Sequence, residues 1–388
     1  MTWIRNRPLG LVYRDKAKAA GGYTLCSPVR GFHADLLDDE GRIVHQWHHP
    51  EGIQHVRLLP NGNLLVHGAP PESAEGAEKI GGCSRALFEL DADSNVVWEY
   101  RDVYMHHAYE RLGNGNTLVA RWTKLPAEVA ARVQGGHVAP DDPEWMWGDE
   151  ILELSPAGEV VRAWHSWEHL SPDHHVKCPL ESRKEWTHVN SLAVTPDGDW
   201  LLSFRLTSTV VLVDGTTGAV KWRWGAQTLS HQHDATWLDS GHVLVFDNGC
   251  HRKEAPAFSS VVEVDPTTGK IVWNYRSQPL LAFMSFMCGG AERLENGNTF
   301  ITEGATGRLF EVTPEGETVW EYVSPWMMPS PRFGPTPVVF RAYRIAEDDP
   351  RLAGLALSPD PYDALNIRIA ASEISPRPTS RPDPVQRA

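Results

Sequence analysis

Residues 230–252 read SHQHDATWLDSGHVLVFDNGCHR. Two histidines open a short apolar run, the chain turns through Asp239, Ser240 and Gly241, and a second apolar run returns to Asp247, Asn248, His251 and Arg252. Asp, Ser and Gly are residues that tight hairpin turns favour, so the stretch is a strand pair with polar side chains gathered at one end. The form recurs. Gln54 and His55 precede VRLLPNGNLLVH, His106 and His107 precede AYERLGNGNTLVAR, His188 and Asn190 accompany SLAVTPDGDWLLSFR, and Cys288 precedes AERLENGNTFITEG.

A second hairpin alternates with the first. Its copies are ADLLDDEGRIVHQW, LFELDADSNVVWEY, ILELSPAGEVVRAW, VVLVDGTTGAVKWRW, VVEVDPTTGKIVWNY and LFEVTPEGETVWEY. With His45, Trp98, Arg162, Trp222, Trp273 and Trp320 taken as equivalent outer-strand positions, the interval is roughly 50 to 65 residues, near or above a propeller-blade period. The sequence therefore predicts an all-β fold: a six-bladed β-propeller with four-stranded antiparallel blades over residues 21–345. Residues 1–20 read as a leader, 346–372 as a C-terminal extension and 373–388 as a Pro-rich disordered tail.

The first complete hairpin, ADLLDDEGRIVHQW, is an outer one. Its blade must obtain inner strands from GYTL just before it or from PVVFRAYRI near the C-terminus, and joining N- and C-terminal strands closes the ring and removes open sheet edges. The repeated outer tryptophans read as blade packing. The hairpin turns belong to one face. The long connections, among them residues 68–84, 122–148, 165–187, 248–258 and 276–288, belong to the other, which is the expected functional face.

A formal charge of −14 and the lack of a Lys/Arg-rich run argue against nucleic acid or an anionic membrane as partner, and point to a small-molecule ligand. The N-terminus lacks the apolar core of a signal peptide, which predicts a cytoplasmic protein. Five scattered cysteines without a CxxC suggest reduced thiols.

In a propeller the residues just before the innermost strands converge on one axial cavity. Here they are Gln54 and His55, His106 and His107, His188 and Asn190, His231 and His233, and Met287 and Cys288. The ends of the returning strands add His67, Arg121, Arg205, Asn248 and Glu303, followed by His251 and Arg252. Arg205 and Arg252 suit an oxyanion, because guanidinium offers a fork of donors. Trp145 and Trp147, on a long connection, are candidates to receive an aromatic ring, or else pack that loop onto the scaffold.

GYTLCSP, the NGN hairpins, HVNS followed by FR, HDA followed by FDNGCHR, and RLENGNTFITEGATGRLFEVTPEGETVWEY together resemble the bacterial arylsulfotransferase family of propellers. The resemblance spans roughly residues 20–345. It implies PAPS-independent transfer of a sulfuryl group between phenols through a sulfated histidine, with no cofactor. By motif it places family histidines at His188 and His233 and the family arginine at Arg252. The chain departs from the pattern where the family carries its sulfated histidine. It reads FMSFMCGGAERL there, has no histidine after His251, and offers Cys288 as the strong nucleophile.

Three readings stand. The first is a sulfuryl transferase or ester-cleaving enzyme acting on an aromatic anion, using His107, His188, His233 and Arg252, with Arg205, Asn190, Asn248, Trp145, Trp147 and Cys288 holding substrate. The second is a hydrolase or lyase with a divalent transition metal such as zinc on His107, His188 and His233, joined by His55 or His251. The third is a non-catalytic binding propeller.

Overall fold

Short apolar strands joined by Asn-Gly and Asp-Gly turns can bury both faces only by stacking against neighbours. In the computed structural model, which describes residues 8–68, 80–252, 255–330 and 334–371, they do so as the six antiparallel blades of a β-propeller. From the axis outward, blade 2 runs His55–Leu58, Leu64–His67, Ala86–Leu90 and Val96–Arg101, and blade 3 runs Met105–Arg111, Thr117–Lys124, Trp147–Leu154 and Val160–His165. Blade 4 is Val189–Val194, Trp200–Phe204, Thr209–Val213 and Val220–Trp224; blade 5 is His233–Trp237, Val243–Asp247, Ser260–Asp265 and Lys270–Tyr275. In the NGN turn of blade 2, Gly62 takes φ +81°, open to glycine at little cost, and Asn61 Oδ1 accepts from Asn63 N at 3.1 Å.

Closure uses both segments that the sequence offered. Val339–Ile345 is the innermost strand of blade 1 and pairs with Tyr23–Pro28, which leads out to Gly31–Leu37 and Ile43–Ile53. Blade 6 (Gly290–Arg293, Thr299–Glu303, Arg308–Val312, Thr318–Val323) gains a fifth, outermost strand, Gly10–Arg14, from the leader. The extension covers the exposed edge of blade 1. Asn366 bonds both backbone groups of Ile43, at 2.9 and 3.1 Å, and the Tyr362 hydroxyl accepts from Gln46 N at 3.1 Å. Residues 373–388 lie outside the described residues. Among the described residues no helix is long and apolar enough to cross a membrane.

Among the described residues an apolar cluster fills each of the six blade junctions. Leu118, Val189, Leu202 and Phe204 fill the junction of blades 3 and 4, and Leu201, Val210, Val243 and Val262 that of blades 4 and 5. The outer tryptophans do more than pack. Indole Nε1 donates to a turn carbonyl of the next blade at Trp98 (Pro156, 2.9 Å), Trp164 (Gly218, 2.9 Å), Trp224 (Gly269, 3.0 Å), Trp273 (Pro314, 2.8 Å) and Trp320 (Asp39, 3.0 Å). In blades 3 and 4 the bonding residue stands two places beyond the equivalent read from the sequence, so Trp222 instead borders the cluster of blades 4 and 5. His45 bonds to the backbone of Ala92 at the remaining junction.

The two long insertions fold together. Gly135–His137 and Lys177–Ser182 form a small parallel sheet, and Arg183 donates to the carbonyls of Val133 (2.9 Å) and Gly135 (2.6 Å). Their rings pack downward: Trp186 is fully buried beside Leu170 and Val133, and His169 stacks on Trp164 at 4.9 Å.

Candidate functional site

Entry to the innermost strands bends the backbone in the same unusual way in four blades. His107 (φ +46°), His188 (+59°), His231 (+59°) and Cys288 (+57°) are all left-handed, as is His251 (+58°) after the second strand of blade 5. A non-glycine residue there costs roughly 1–3 kcal/mol and persists only where its surroundings fix it. The bend is held by the backbone itself: His107 N donates to Gly82 O at 3.1 Å, and Arg205 N to His188 O at 3.0 Å. It presents buried imidazoles to one another, with the His107 and His188 ring centres 4.5 Å apart.

His188 is oriented by a residue of the second insertion. Its Nδ1 lies 2.6 Å from Glu185 Oε2, leaving Nε2 free to exchange a proton. Burial would raise the Glu185 carboxyl, but the His188 imidazole and the Lys177 ammonium outweigh it and pull the group down to about 2, so the carboxylate is charged. Lys177, itself lowered to about 8 by burial, donates to the Glu185 carbonyl. On the other side of His107, Nδ1 stands 3.0 Å from Nδ1 of His106, whose Nε2 faces Asp149 Oδ1 at 3.2 Å.

His233 is fixed as a single tautomer. The Asn248 amide nitrogen donates to two carbonyls, Ser285 O at 2.7 Å and Cys288 O at 2.9 Å, so its oxygen must face His233. That oxygen lies 2.7 Å from His233 Nδ1, which therefore carries the proton, and Nε2 is left with its lone pair. Burial, followed by the nearby Arg205 charge, holds His233 well below the usual histidine range, so the ring is neutral. Cys288 differs in kind. Burial pushes its thiol up to about 12 despite Arg341 and Arg205, so it is not a thiolate near neutral pH.

The closing strand completes the centre. Phe340 stands among histidines of three blades, with ring centres 4.9 Å from His55, 6.0 Å from His107 and 6.5 Å from His233. Arg341 is almost wholly buried; Nη1 pairs with Asp234 Oδ1 at 3.0 Å, while Nε and Nη2 have no hydrogen-bond partner among the described residues. Arg205 binds Glu181 at 3.0 Å. Below them Arg57 pairs with Glu110 at 3.2 Å and lies over the Tyr343 ring, and burial raises Glu292 to about 7.

Other residues singled out in the sequence stand elsewhere. Arg252 is drawn to Asp247 (2.5 Å) and lies over Phe258, so the guanidinium charges felt at His233 and Cys288 are those of Arg205 and Arg341. Trp147 is buried with Trp122 and Ile80, edge-on to Trp145 (6.1 Å), which carries the Lys124 ammonium on its face (3.6 Å). Both rings thus pack the insertion. Asn190 donates to Gln232 O at 2.8 Å, and His55 Nε2 lies 2.8 Å from the Tyr343 hydroxyl. His107, His188 and His233 do not bring ligand atoms together; among the described residues the three-ligand group within 4.8 Å is Cys178, His231 and His251. A surface cavity of about 230 Å³, lined by Val12, Arg308, Glu321 and Val323, lies away from the axis on blade 6.

Sequence reasoning passed over Glu185, Glu181, Phe340 and Arg341. The last two were within reach, because PVVFRAYRI as an inner strand puts Phe340 and Arg341 at the sixth entrance. The two glutamates arrive on an insertion that has no counterpart in the repeat.

A family model described as Arylsulfotransferase (ASST) matches residues 55–324. No curated protein matches the chain significantly. Among solved structures, a protein of unknown function from Bacteroides caccae has a TM-score of 0.53 at 16% identity, covering 84% of this chain and 100% of its own. A streptogramin B lyase (TM-score 0.44, 11% identity, 80% and 85% covered) and the hydrazine synthase of Kuenenia stuttgartiensis (0.44, 12%, 73% and 71%) follow. At 16% identity the likeness to the Bacteroides caccae protein speaks to fold alone.

Proposed function

Because the chain belongs to the arylsulfotransferase family, we propose that it transfers a sulfuryl group from an aryl sulfate to a second phenol, with His233 as the carrier. The observation behind this reading is the Asn248 clamp, which leaves His233 neutral with a lone pair on Nε2. It answers the missing later histidine: the carrier is a residue of blade 5, and Cys288 supplies the carbonyl that sets the clamp.

In the first half-reaction His233 Nε2 attacks sulfur, the S–O bond to the aryl group breaks, and the departing phenolate takes a proton from the His188 imidazolium. In the second, His188 removes the proton of the incoming phenol, whose oxygen attacks sulfur, and the S–N bond to His233 breaks. Glu185, ionised at 2.6 Å from Nδ1, stabilises the imidazolium that is present before the first step and re-formed in the second. Arg205 and the unpartnered donors of Arg341 offset the charge of the sulfuryl oxygens.

The test is turnover of 4-nitrophenyl sulfate with and without a phenol acceptor. Acceptor-dependent release of 4-nitrophenolate, lost in His233→Ala and His188→Ala, is the expected result. Absence of any aryl sulfate turnover by the folded protein would remove the proposal.

A further inference from the structure

Next to the axial histidines is a second cluster that the reaction above does not use. Cys178 Sγ lies 3.4 Å from His251 Nδ1, and His251 Nδ1 lies 3.2 Å from His231 Nε2. The three atoms all fall within 4.8 Å of one another. They come from three places: the strand Lys177–Ser182 of the second insertion, the entrance of blade 5, and the loop after its second strand.

As hydrogen bonds, these contacts make two partners share one nitrogen of His251. An imidazole nitrogen has either one lone pair or one proton, yet His251 Nδ1 is approached by both a thiol and another imidazole. A shared metal ion removes the conflict, because each atom then directs one lone pair to a common centre. The spacings agree with it. Zinc–nitrogen bonds near 2.0–2.1 Å and a zinc–sulfur bond near 2.3 Å give tetrahedral edges of about 3.3 Å between nitrogens and about 3.6 Å between nitrogen and sulfur. Both contacts are within about 0.2 Å of those edges.

The surroundings also fit. The far nitrogen of His231, Nδ1, is buried without a hydrogen bond, and Glu181 Oε1, held by Arg205 at 3.0 Å, stands 3.6 Å away, just beyond the reach at which a carboxylate orients a metal-bound histidine. His231 and His251 both hold left-handed backbone conformations that point their rings at each other. His251 is partly exposed, which gives an ion a way in.

We infer that Cys178, His231 and His251 bind one zinc ion, with a fourth position open to water and Glu181 behind His231. Binding displaces the thiol proton to solvent and forms the S–Zn bond. The ion joins the insertion to blade 5. This inference stands on ligand geometry and not on the sulfuryl-transfer reading.

The experiment uses the full chain, stripped with a chelator, dialysed, and titrated with zinc or cobalt(II). One equivalent should be retained. The cobalt form should show a thiolate-to-metal charge-transfer band, and zinc should raise the melting temperature. Cys178→Ser and His251→Ala should each weaken binding by about a hundredfold or more, and Glu181→Gln by about tenfold. His251 is partly exposed, so its variant keeps the test open if the Cys178 variant does not fold. No metal retained by the folded wild type overturns the inference. So does retention unchanged in both ligand variants, or retention lost in His107→Ala but kept in Cys178→Ser. Aryl sulfate turnover is scored separately, so either conclusion can fail while the other stands.

Discussion

The rim and the axis of the propeller start from the same repeat and use it in opposite ways. At the rim, five blades place an indole on the turn of the next blade with nearly the same bond, 2.8 to 3.0 Å long. At the axis, the equivalent entrances carry different side chains, His55, His107, His188, His231 with His233, Cys288 and Phe340. Four of these entrances are held in left-handed backbone conformations. Repetition serves stability because every junction has the same task. Chemistry needs distinct groups facing one another, so it is found where the repeat is broken.

The largest effect expected from this contrast is at His188 and its partner. Glu185→Gln and His188→Ala should lower turnover by about 10²–10⁴-fold, the range for a positioned proton carrier, with the melting temperature little changed. Equal loss of stability would return the pair to a structural role. The rim should answer in reverse. Trp320→Ala, which empties a buried site and breaks the bond to Asp39, should cost about 3–5 kcal/mol in chemical denaturation while activity per folded molecule is kept.

A smaller effect belongs to the buried carboxyl of Glu292. Glu292 is raised to about 7 by burial, so the native state binds its proton more tightly than the unfolded chain. Stability from this group is complete below the unfolded pKa near 4.5 and is lost as pH rises through about 7. Glu292→Gln should therefore stabilise the protein by about 3 kcal/mol at pH 8, and little at pH 4. A denaturation series across that range checks the sign. The smallest effect is at a single rim bond: Trp98→Phe, which loses the hydrogen bond to Pro156 but keeps most of the ring, should cost about 1 kcal/mol.

The same contrast decides what could be read from the sequence. Hairpins with NGN and DGD turns repeat along the chain, so blade number, strand count and ring closure were legible before any coordinates. The repeat also put histidines at the entrances of blades 2 to 5, where His55, His107, His188, His231 and His233 are buried. Glu185 was not legible, since it approaches His188 from an insertion and no periodicity marks it. Arg252 was misplaced for a related reason: motif position gives the residue but not its partner, and the buried Asp247 five residues earlier draws the guanidinium away from the axis. Trp145 and Trp147 show that aromatic residues on a loop read alike whether they receive a ligand or pin the loop down.

The central claim is that the neutral Nε2 of His233 carries the sulfuryl group. It is tested most directly by mixing the protein with 4-nitrophenyl sulfate without acceptor, quenching rapidly in base, and mapping modified peptides by mass spectrometry. The account predicts one added sulfuryl group on His233, absent in Asn248→Ala, where the tautomer is released. Modification of Cys288 instead, or steady turnover with no modified histidine, would contradict it.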